Sequence, residues 1–546
     1  MMHRVLRLKP SLPLRAAARQ LCSGPELAIA ARPRGTKIVA TIGPASEEKA
    51  PLEACVAAGM NVMRINFSHA TVEEFHLRRN NLRNNPAGEN VAIMLDTKGP
   101  EIRMGGLKVC KETGDRKAKI LLTSGETLQL TTDPAYNGSS DASTLYIDYP
   151  RLVEVVSPGD KVLLDDGLVS LEVVSVDGIT VQTTVLNTSE IGERKGVNLP
   201  GVKTGLPAMS DKDKADIKFG IEHDIDMVAA SFVRSAAGVH EIRDYLSECL
   251  MAAAEKDPSR IGEPLPLIIS KIESTEALEE LPAIVAASDG IMVARGDLGV
   301  EVPLHTVITY QKEMVELCVA AGKPVVVATQ MLESMQKNPR PTRAEVADVT
   351  NAVLEGADAV MLSGESANGK YPSEAVGMQA DIIAHTEEWA LARGMDMGSV
   401  LDEELAEAAV EEEEELDAHT DSIGDAACVL AERIGAAAIV VWEGGDGRLA
   451  RAIAKHRPAM PISALSDSVK VCRQLSISRG VEPLYLDAEG MDMLDEEAPS
   501  FSMCSVVCTR TDLLGPEDVA VCVIDDSITV ETIHPDLFFD GEGDEK

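Results

Sequence analysis

The stretch LIISKIESTEALEELPAIVAASDGIMVARGDLG, residues 267–299, carries the pattern on which the fold turns. Two short apolar, β-branched runs, LIISKIE from Leu267 and GIMVARGD from Gly290, flank a helix-like segment. Strand, helix, strand in that order makes a parallel βαβ unit. The same grammar continues outward in both directions. TKIVATIG from Thr36, NVMRINFS from Asn61, NVAIMLDT from Asn90 and DMVAASF from Asp226 come before it. PVVVATQ from Pro324 and AVMLSGE from Ala359 come after. Eight such runs close a TIM (β/α)8 barrel, and each ends in polar, charged or glycine residues, at the rim where barrel enzymes place their chemistry. The expected fold class is α/β, with the barrel at 31–104 and 204–390.

One interval is too long for a single helical crossover. Between the third and fourth runs lie short alternating segments with turn signals, such as LTSGETLQLTTD, SPGDKVLLDDG and VSVDGITVQTTV. Asp177-Gly178 marks a hairpin there. Residues 105–203 are expected to form a small β-barrel lid domain inserted over the barrel mouth. After the eighth run come acidic blocks, Asp402 to Glu404 and Glu411 to Glu415, read as part of a solvated linker at 391–420. From 421 a new α/β pattern begins and runs to 546. SIGDAACVLAERIG reads as a helix, AAIVVW as a strand, RLARAIAKH as a helix and PISALS as a strand. VEPLYL, MCSVVCT and DVAVCVI are expected to continue the strands of this C-terminal domain, and the GEGDEK tail to be disordered.

Bulk properties exclude whole classes of function. The chain has 546 residues, enough for several domains, and a formal charge of −38. That charge argues against a nucleic-acid partner, whose phosphates need clustered Lys and Arg. No apolar run reaches the length of a membrane span. Ten cysteines are scattered with no C-x-x-C pair, and the closest, Cys504 and Cys508, have no histidines nearby. Reduced, packed thiols and a reducing compartment follow. The leader at 1–30 reverses the charge of the rest. It carries Arg4, Arg7, Lys9, Arg15 and Arg19 and no acid before Glu26. That composition reads as a transit peptide for a mitochondrion or plastid; the alternative is a disordered tail of no consequence on a cytoplasmic protein.

Two constellations carry chemistry. In KIE at 271–273 and RGDLG at 295–299, Glu273 and Asp297 bring two carboxylates to adjacent parts of the rim, which suits Mg²⁺ or Mn²⁺. Lys271 lies two residues before Glu273 and points to the same side of a strand. An ammonium beside a divalent ion is what a transferring phosphoryl group needs. Gly296 lets backbone N–H groups approach a small carboxylate. The second constellation is RINFSH at 64–69 with DTKGPEIR at 96–103. Arg64 and Arg103 supply bidentate phosphate donors. Asn66, Ser68, Asp96 and Thr97 form an oxygen cage with a single carboxylate, which fits a monovalent ion better than a second divalent one.

Together these motifs closely resemble the pyruvate kinases, in the family's order, from TKIVATIGPAS through NFSH, DTKGPEIR, KGVNLPG, SKIES, ARGDLGVE, ATQMLESM, PRPTRAEVADV and MLSGESA. The resemblance implies a phosphotransferase that uses phosphoenolpyruvate and ADP, makes pyruvate and ATP, needs Mg²⁺ (or Mn²⁺) and K⁺, and assembles as a homotetramer. It implies Mg²⁺ ligands at Glu273 and Asp297 and a K⁺ site at Asn66, Ser68, Asp96 and Thr97. It further implies a transition-state stabiliser at Lys271, a phosphate contact at Arg64 and substrate-carboxylate contacts at Gly296 and Asp297. Thr329 would bind substrate and help deliver a proton to the enolate. Asn66, His69, Arg103 and Lys195 would meet the nucleotide, with Ser231 and Ser363 in support.

Two departures from the family's pattern matter. Asn368-Gly369-Lys370 displaces by two positions a lysine that the family often carries, which puts its role on the nucleotide in doubt. Trp442 to Leu449 replaces the hydroxyl-rich loop of fructose 1,6-bisphosphate-activated relatives with Gly444, Asp446 and Leu449, so no response to that effector is expected. Two rival readings stand beside this one: a Mg²⁺-dependent carbon–carbon lyase on the same barrel, and a non-catalytic relative using the acidic linker for interactions.

Overall fold

The computed structural model describes residues 33–395, 397, 415–495 and 497–538. The basic leader, most of the acidic linker and the GEGDEK tail lie outside the described residues.

Eight strands close one parallel barrel: β1 (Lys37–Thr41), β2 (Val62–Asn66), β3 (Ala92–Asp96), β4 (Met227–Ala230), β5 (Leu267–Ile272), β6 (Gly290–Ala294), β7 (Val325–Ala328) and β8 (Ala359–Leu362). They neighbour one another in chain order, and β8 pairs β1, for example at Ile38↔Val360. Side chains alternate between two apolar layers, as the pleat requires. Val39, Met94, Ile269, Met292 and Val326 fill the barrel's inside, while Ile38, Ile93, Ile268 and Val327 face the surrounding helices. Burial on both faces explains why these runs read as continuously apolar.

Two helices that follow barrel strands matter below. α1 (Arg295–Glu301) follows β6 directly. α2 (Arg343–Glu355) starts at a capping box between Thr342 and Glu345 and stops at Gly356, whose φ of +97° is left-handed.

The insert between β3 and β4 is mainly β, as its period-2 pattern requires, with two short helices at Lys108–Thr113 and Leu152–Val155. Its seven-stranded sheet runs Ile102–Arg103, Gly196–Asn198, Lys161–Leu164, Val169–Asp177, Thr180–Val185, Thr127–Thr131 and Thr144–Tyr146 across the sheet, and a second sheet pairs Ser189–Ile191 with Ile120–Leu122. Asp177-Gly178 does form a hairpin. The sheet already begins at Ile102, inside the DTKGPEIR motif, so one strand of the insert is continuous with a site motif.

In the C-terminal domain, α3 (Glu415–Ile434) starts seven residues before Ser422, inside the stretch read as linker. β9 (Ala438–Trp442), α4 (Arg448–Lys455), β10 (Ile462–Ser466), α5 (Val469–Leu475) and β11 (Val481–Tyr485) follow. One expectation fails. MCSVVCT lies within α6 (Pro499–Arg510), not on a strand. Met503, Cys504, Val506 and Val507 are buried at helical spacing, and Pro499 sits at the helix start. The sheet is completed by β12 (Val519–Ile524) and an antiparallel edge strand, β13 (Ser527–Thr532).

This domain docks on the N-terminal face of the barrel. Asp358 accepts from Arg457 Nη1 at 2.9 Å and Nη2 at 2.8 Å, and from the Arg479 N–H at 2.9 Å. Ile477, fully buried, joins the inner barrel core from below. The opposite face stays free for chemistry.

Candidate active site

β5 ends on Lys271-Ile272, and Glu273 follows immediately. Lys271 Nζ sits 2.9 Å from Glu273 Oε1, 3.3 Å from Asp96 Oδ1 and 2.8 Å from Ser231 Oγ. Burial opposes its charge, but Asp96 and then Glu273 outweigh burial and hold its pKa above the ordinary lysine value. Lys271 is therefore a fixed cation. Glu273, 1% exposed, also accepts the Phe232 N–H through Oε2 at 2.6 Å.

Arg64, the third residue of β2, donates Nε to Asp96 Oδ2 at 2.6 Å and Nη1 to Thr41 Oγ1 at 2.8 Å. Asp96 is thus a buried bridge between Arg64 and Lys271. Burial would raise its pKa, but Arg64 and then Lys271 hold it below the carboxylate range. One cation from each sequence constellation, Lys271 and Arg64, meets on this one carboxylate, while Arg103 pairs with Glu101 instead. Asn66 and Asp96 are register partners, Asn66 Oδ1 accepts the Ser68 N–H at 2.9 Å, and Thr97 O accepts Ser231 Oγ at 2.7 Å. The oxygen cage therefore sits on the shared end of β2 and β3, its members already tied to neighbours.

Asp297 lies in the first turn of α1. Burial first, and then the negative charge of Glu273, push its carboxyl up to about 7. Two carboxylates that close leave a local excess of negative charge, which is the environment a hard divalent cation relieves. Among the described residues, no group of three or more His, Cys, Asp or Glu could hold a metal, so Glu273 and Asp297 form a two-carboxylate set. That donor set fits Mg²⁺, which keeps waters and substrate oxygens in its shell. Gly296 N donates to Thr329 Oγ1 at 2.9 Å, joining the ends of β6 and β7 beside Asp297. A Cβ at Gly296 would meet Thr329 only at ordinary contact distance, so the protein itself does not demand glycine there.

Above this floor, the insert and the rim enclose a cleft of about 360 Å³. His69, Arg103, Lys195 and Asp297 all line it. Arg103 Nε pairs with Glu101 at 2.6 Å, and Lys195 Nζ pairs with Asp165 at 3.0 Å. Asn198 of the insert donates to Glu301 Oε1 of α1 at 3.0 Å, so the lid touches the helix that carries Asp297. Ser363 stands apart: its N–H donates to Glu365, and among the described residues no hydrogen bond joins it to the Lys271 network. Lys370 is exposed, with its own N–H bonded to Gln336 O.

Sequence reasoning missed several participants. Thr41 anchors Arg64 from the end of β1, inside the quoted TKIVATIG run. Arg234 and Asp166 line the cleft, and Asp166 adds negative charge near Asp297 from across it. Arg234 follows β4 at a rim position, which was the available signal. Asp166 sits in a left-handed turn, φ 53°, that strand patterning does not reveal.

Known proteins resemble this chain over most of its length. Residues 33–376 match the family profile described as "Pyruvate kinase, barrel domain", and residues 421–533 match "Pyruvate kinase, alpha/beta domain". A pyruvate kinase of Leishmania mexicana is 42% identical over 459 residues, 84% of this chain and 86% of the relative. One of Homo sapiens is 42% identical over 460 residues, 83% and 75% of the two chains. A solved pyruvate kinase from Cryptosporidium parvum superposes with a TM-score of 0.80 at 35% identity, covering 91% of this chain and 96% of its own.

Proposed function

This chain belongs to the pyruvate kinase family and is a phosphotransferase that moves the phosphoryl group of phosphoenolpyruvate onto ADP; we propose that the Lys271–Glu273–Asp297 rim runs that transfer. The carrying observation is the fixed charge on Lys271, held by Asp96 and Glu273 beside a carboxylate pair short of positive charge.

In this reading Arg64 and Lys271 grip the phosphoryl oxygens and stabilise the charge that spreads over them during in-line transfer. Mg²⁺ or Mn²⁺ on Glu273 and Asp297 would neutralise the same charge and order the phosphates. K⁺ would sit among Asn66, Ser68, Asp96 and Thr97. His69, Arg103 and Lys195 receive the nucleotide in the cleft, and the insert that carries Lys195 excludes water when it closes. Thr329 holds the substrate beside Gly296 and assists protonation of the enolate left behind. Preorganised donors contribute most, since the transferring group needs little covalent chemistry from the protein.

The test is pyruvate release from phosphoenolpyruvate, followed with and without ADP, Mg²⁺ and K⁺. Release that needs all three supports the reading; release indifferent to ADP would favour the lyase. We further propose a homotetramer, checked by light scattering for four times the 58.2 kDa chain mass. The Arg-rich leader is proposed to direct the chain to an organelle. A reporter fused to residues 1–30 that stays diffuse in the cytosol would contradict that.

A further inference from the structure

β7 leaves the barrel through two consecutive left-handed residues, Thr329 at φ 70° and Gln330 at φ 55°. A β-branched residue rarely adopts that conformation unless its surroundings impose it. The imposing group is Arg295. Its Nε donates to Ala328 O at 3.1 Å and its Nη2 to Thr329 O at 2.5 Å, so one guanidinium grips two consecutive carbonyls, one entering the bend and one within it. Arg295 is itself only 9% exposed and is aimed by a fork of two bonds. Nη1 donates to Asp348 Oδ1 and Nη2 to Asp348 Oδ2, both at 2.7 Å. Asp348 belongs to α2, in the PRPTRAEVADV motif for which the sequence suggested no role.

We propose that Asp348 is a positioning residue for phosphoryl transfer: through Arg295 it holds Thr329 in its left-handed bend, with Oγ1 on the Gly296 N–H beside Asp297. This rests on the reading of Thr329 as a substrate contact. Asp348 touches neither substrate nor metal in this scheme. Loss of its charge frees the guanidinium to leave the two carbonyls, and the threonine hydroxyl then drifts from the reacting centre. Displacements of that size cost catalysis more than binding.

A double-mutant cycle in turnover tests it. Asp348→Asn should lower kcat about tenfold and leave KM for ADP within a factor of about two. Thr329→Val keeps the β-branched shape and removes the hydroxyl, and it should also lower kcat. The double variant should be no slower than Thr329→Val alone, because Asp348 acts only through that hydroxyl. Wild-type kcat in Asp348→Asn, or losses that multiply in the double variant, would overturn the proposal. If Asp348→Asn unfolds at the assay temperature, Asp348→Glu, with the charge on a longer arm, takes its place in the cycle, with the same results expected and the same results overturning the proposal. Full activity in Thr329→Val sinks the reading of Thr329 itself, a result separable from any failure of Asp348.

Discussion

Lys271 shows how one side chain can be fixed without being used up. Its three acceptors, Asp96, Ser231 and Glu273, come from three different strands or their ends, so its position is over-determined. Replacing Lys271 with Ala should lower turnover by about 10²–10³, the usual cost of losing one preorganised group. Mn²⁺ binding, read by electron paramagnetic resonance, should persist because Glu273 and Asp297 remain. Near-normal turnover would reduce Lys271 to a structural ion-pair partner. Glu101 makes a second residue-scale case. It lies in the cleft between Lys98 at 3.5 Å and Arg103 at 2.6 Å. Activity should require K⁺, measured against a tetramethylammonium buffer free of Na⁺ and K⁺. Glu101→Lys should weaken that requirement by supplying the charge internally, at some loss of rate from crowding three cations. Equal wild-type rates in the two buffers would contradict the assignment. The identities of these residues were legible because charge, spacing and strand ends sufficed. Their partners, such as Thr41 for Arg64 and Asp348 for Arg295, were not, since contacts across 23 and 53 residues leave no local pattern.

Among the elements, α4 decides a question of regulation. Helix N-termini attract anions through unsatisfied N–H groups. At α4 that place is already taken. Glu443, at the end of β9, is 3% exposed, and its carboxylate accepts the Ala450 N–H in the first turn. Burial raises its pKa, while the N–H of Ala450 pulls the other way. Asp446 accepts from both the backbone and the side chain of Arg448, at 3.3 and 3.1 Å. An incoming phosphate would meet two carboxylates there. Millimolar fructose 1,6-bisphosphate should therefore leave the phosphoenolpyruvate saturation curve in place, and a clear leftward shift would refute this. The elements also mark where sequence patterning reaches its limit. Barrel strands were readable because burial on both faces gives unbroken apolar runs. The same signal misled at MCSVVCT, where a short apolar run fits a buried strand and a buried helix equally well. The packing of Cys504 against Cys522, with sulfurs 3.3 Å apart, and the Ser500–Thr529 hydroxyl bond at 2.7 Å show which face of α6 is turned to the sheet.

For the whole molecule, the barrel separates support from chemistry. Its N-terminal face is taken by the C-terminal domain, through Asp358, Arg457 and Arg479, through Lys37 with Glu482 at 2.8 Å, and through Ile477 entering the barrel core. Its C-terminal face carries the cation–carboxylate network, roofed by an insert whose first strand is continuous with DTKGPEIR. The eight-strand count, the insert and the third domain all follow from periodicity and turn chemistry. The docking of one domain on another does not, because it depends on pairs such as Asp358 and Arg457 that lie 99 residues apart. The claim that joins these levels is direct transfer of one phosphoryl group between two bound substrates at this rim. A ³¹P nuclear magnetic resonance time course of phosphoenolpyruvate with ADP, Mg²⁺ and K⁺ measures it. The phosphoenolpyruvate signal should fall as the γ-phosphate signal of ATP rises, one for one. Phosphate released to solvent while ADP stays unchanged would contradict it.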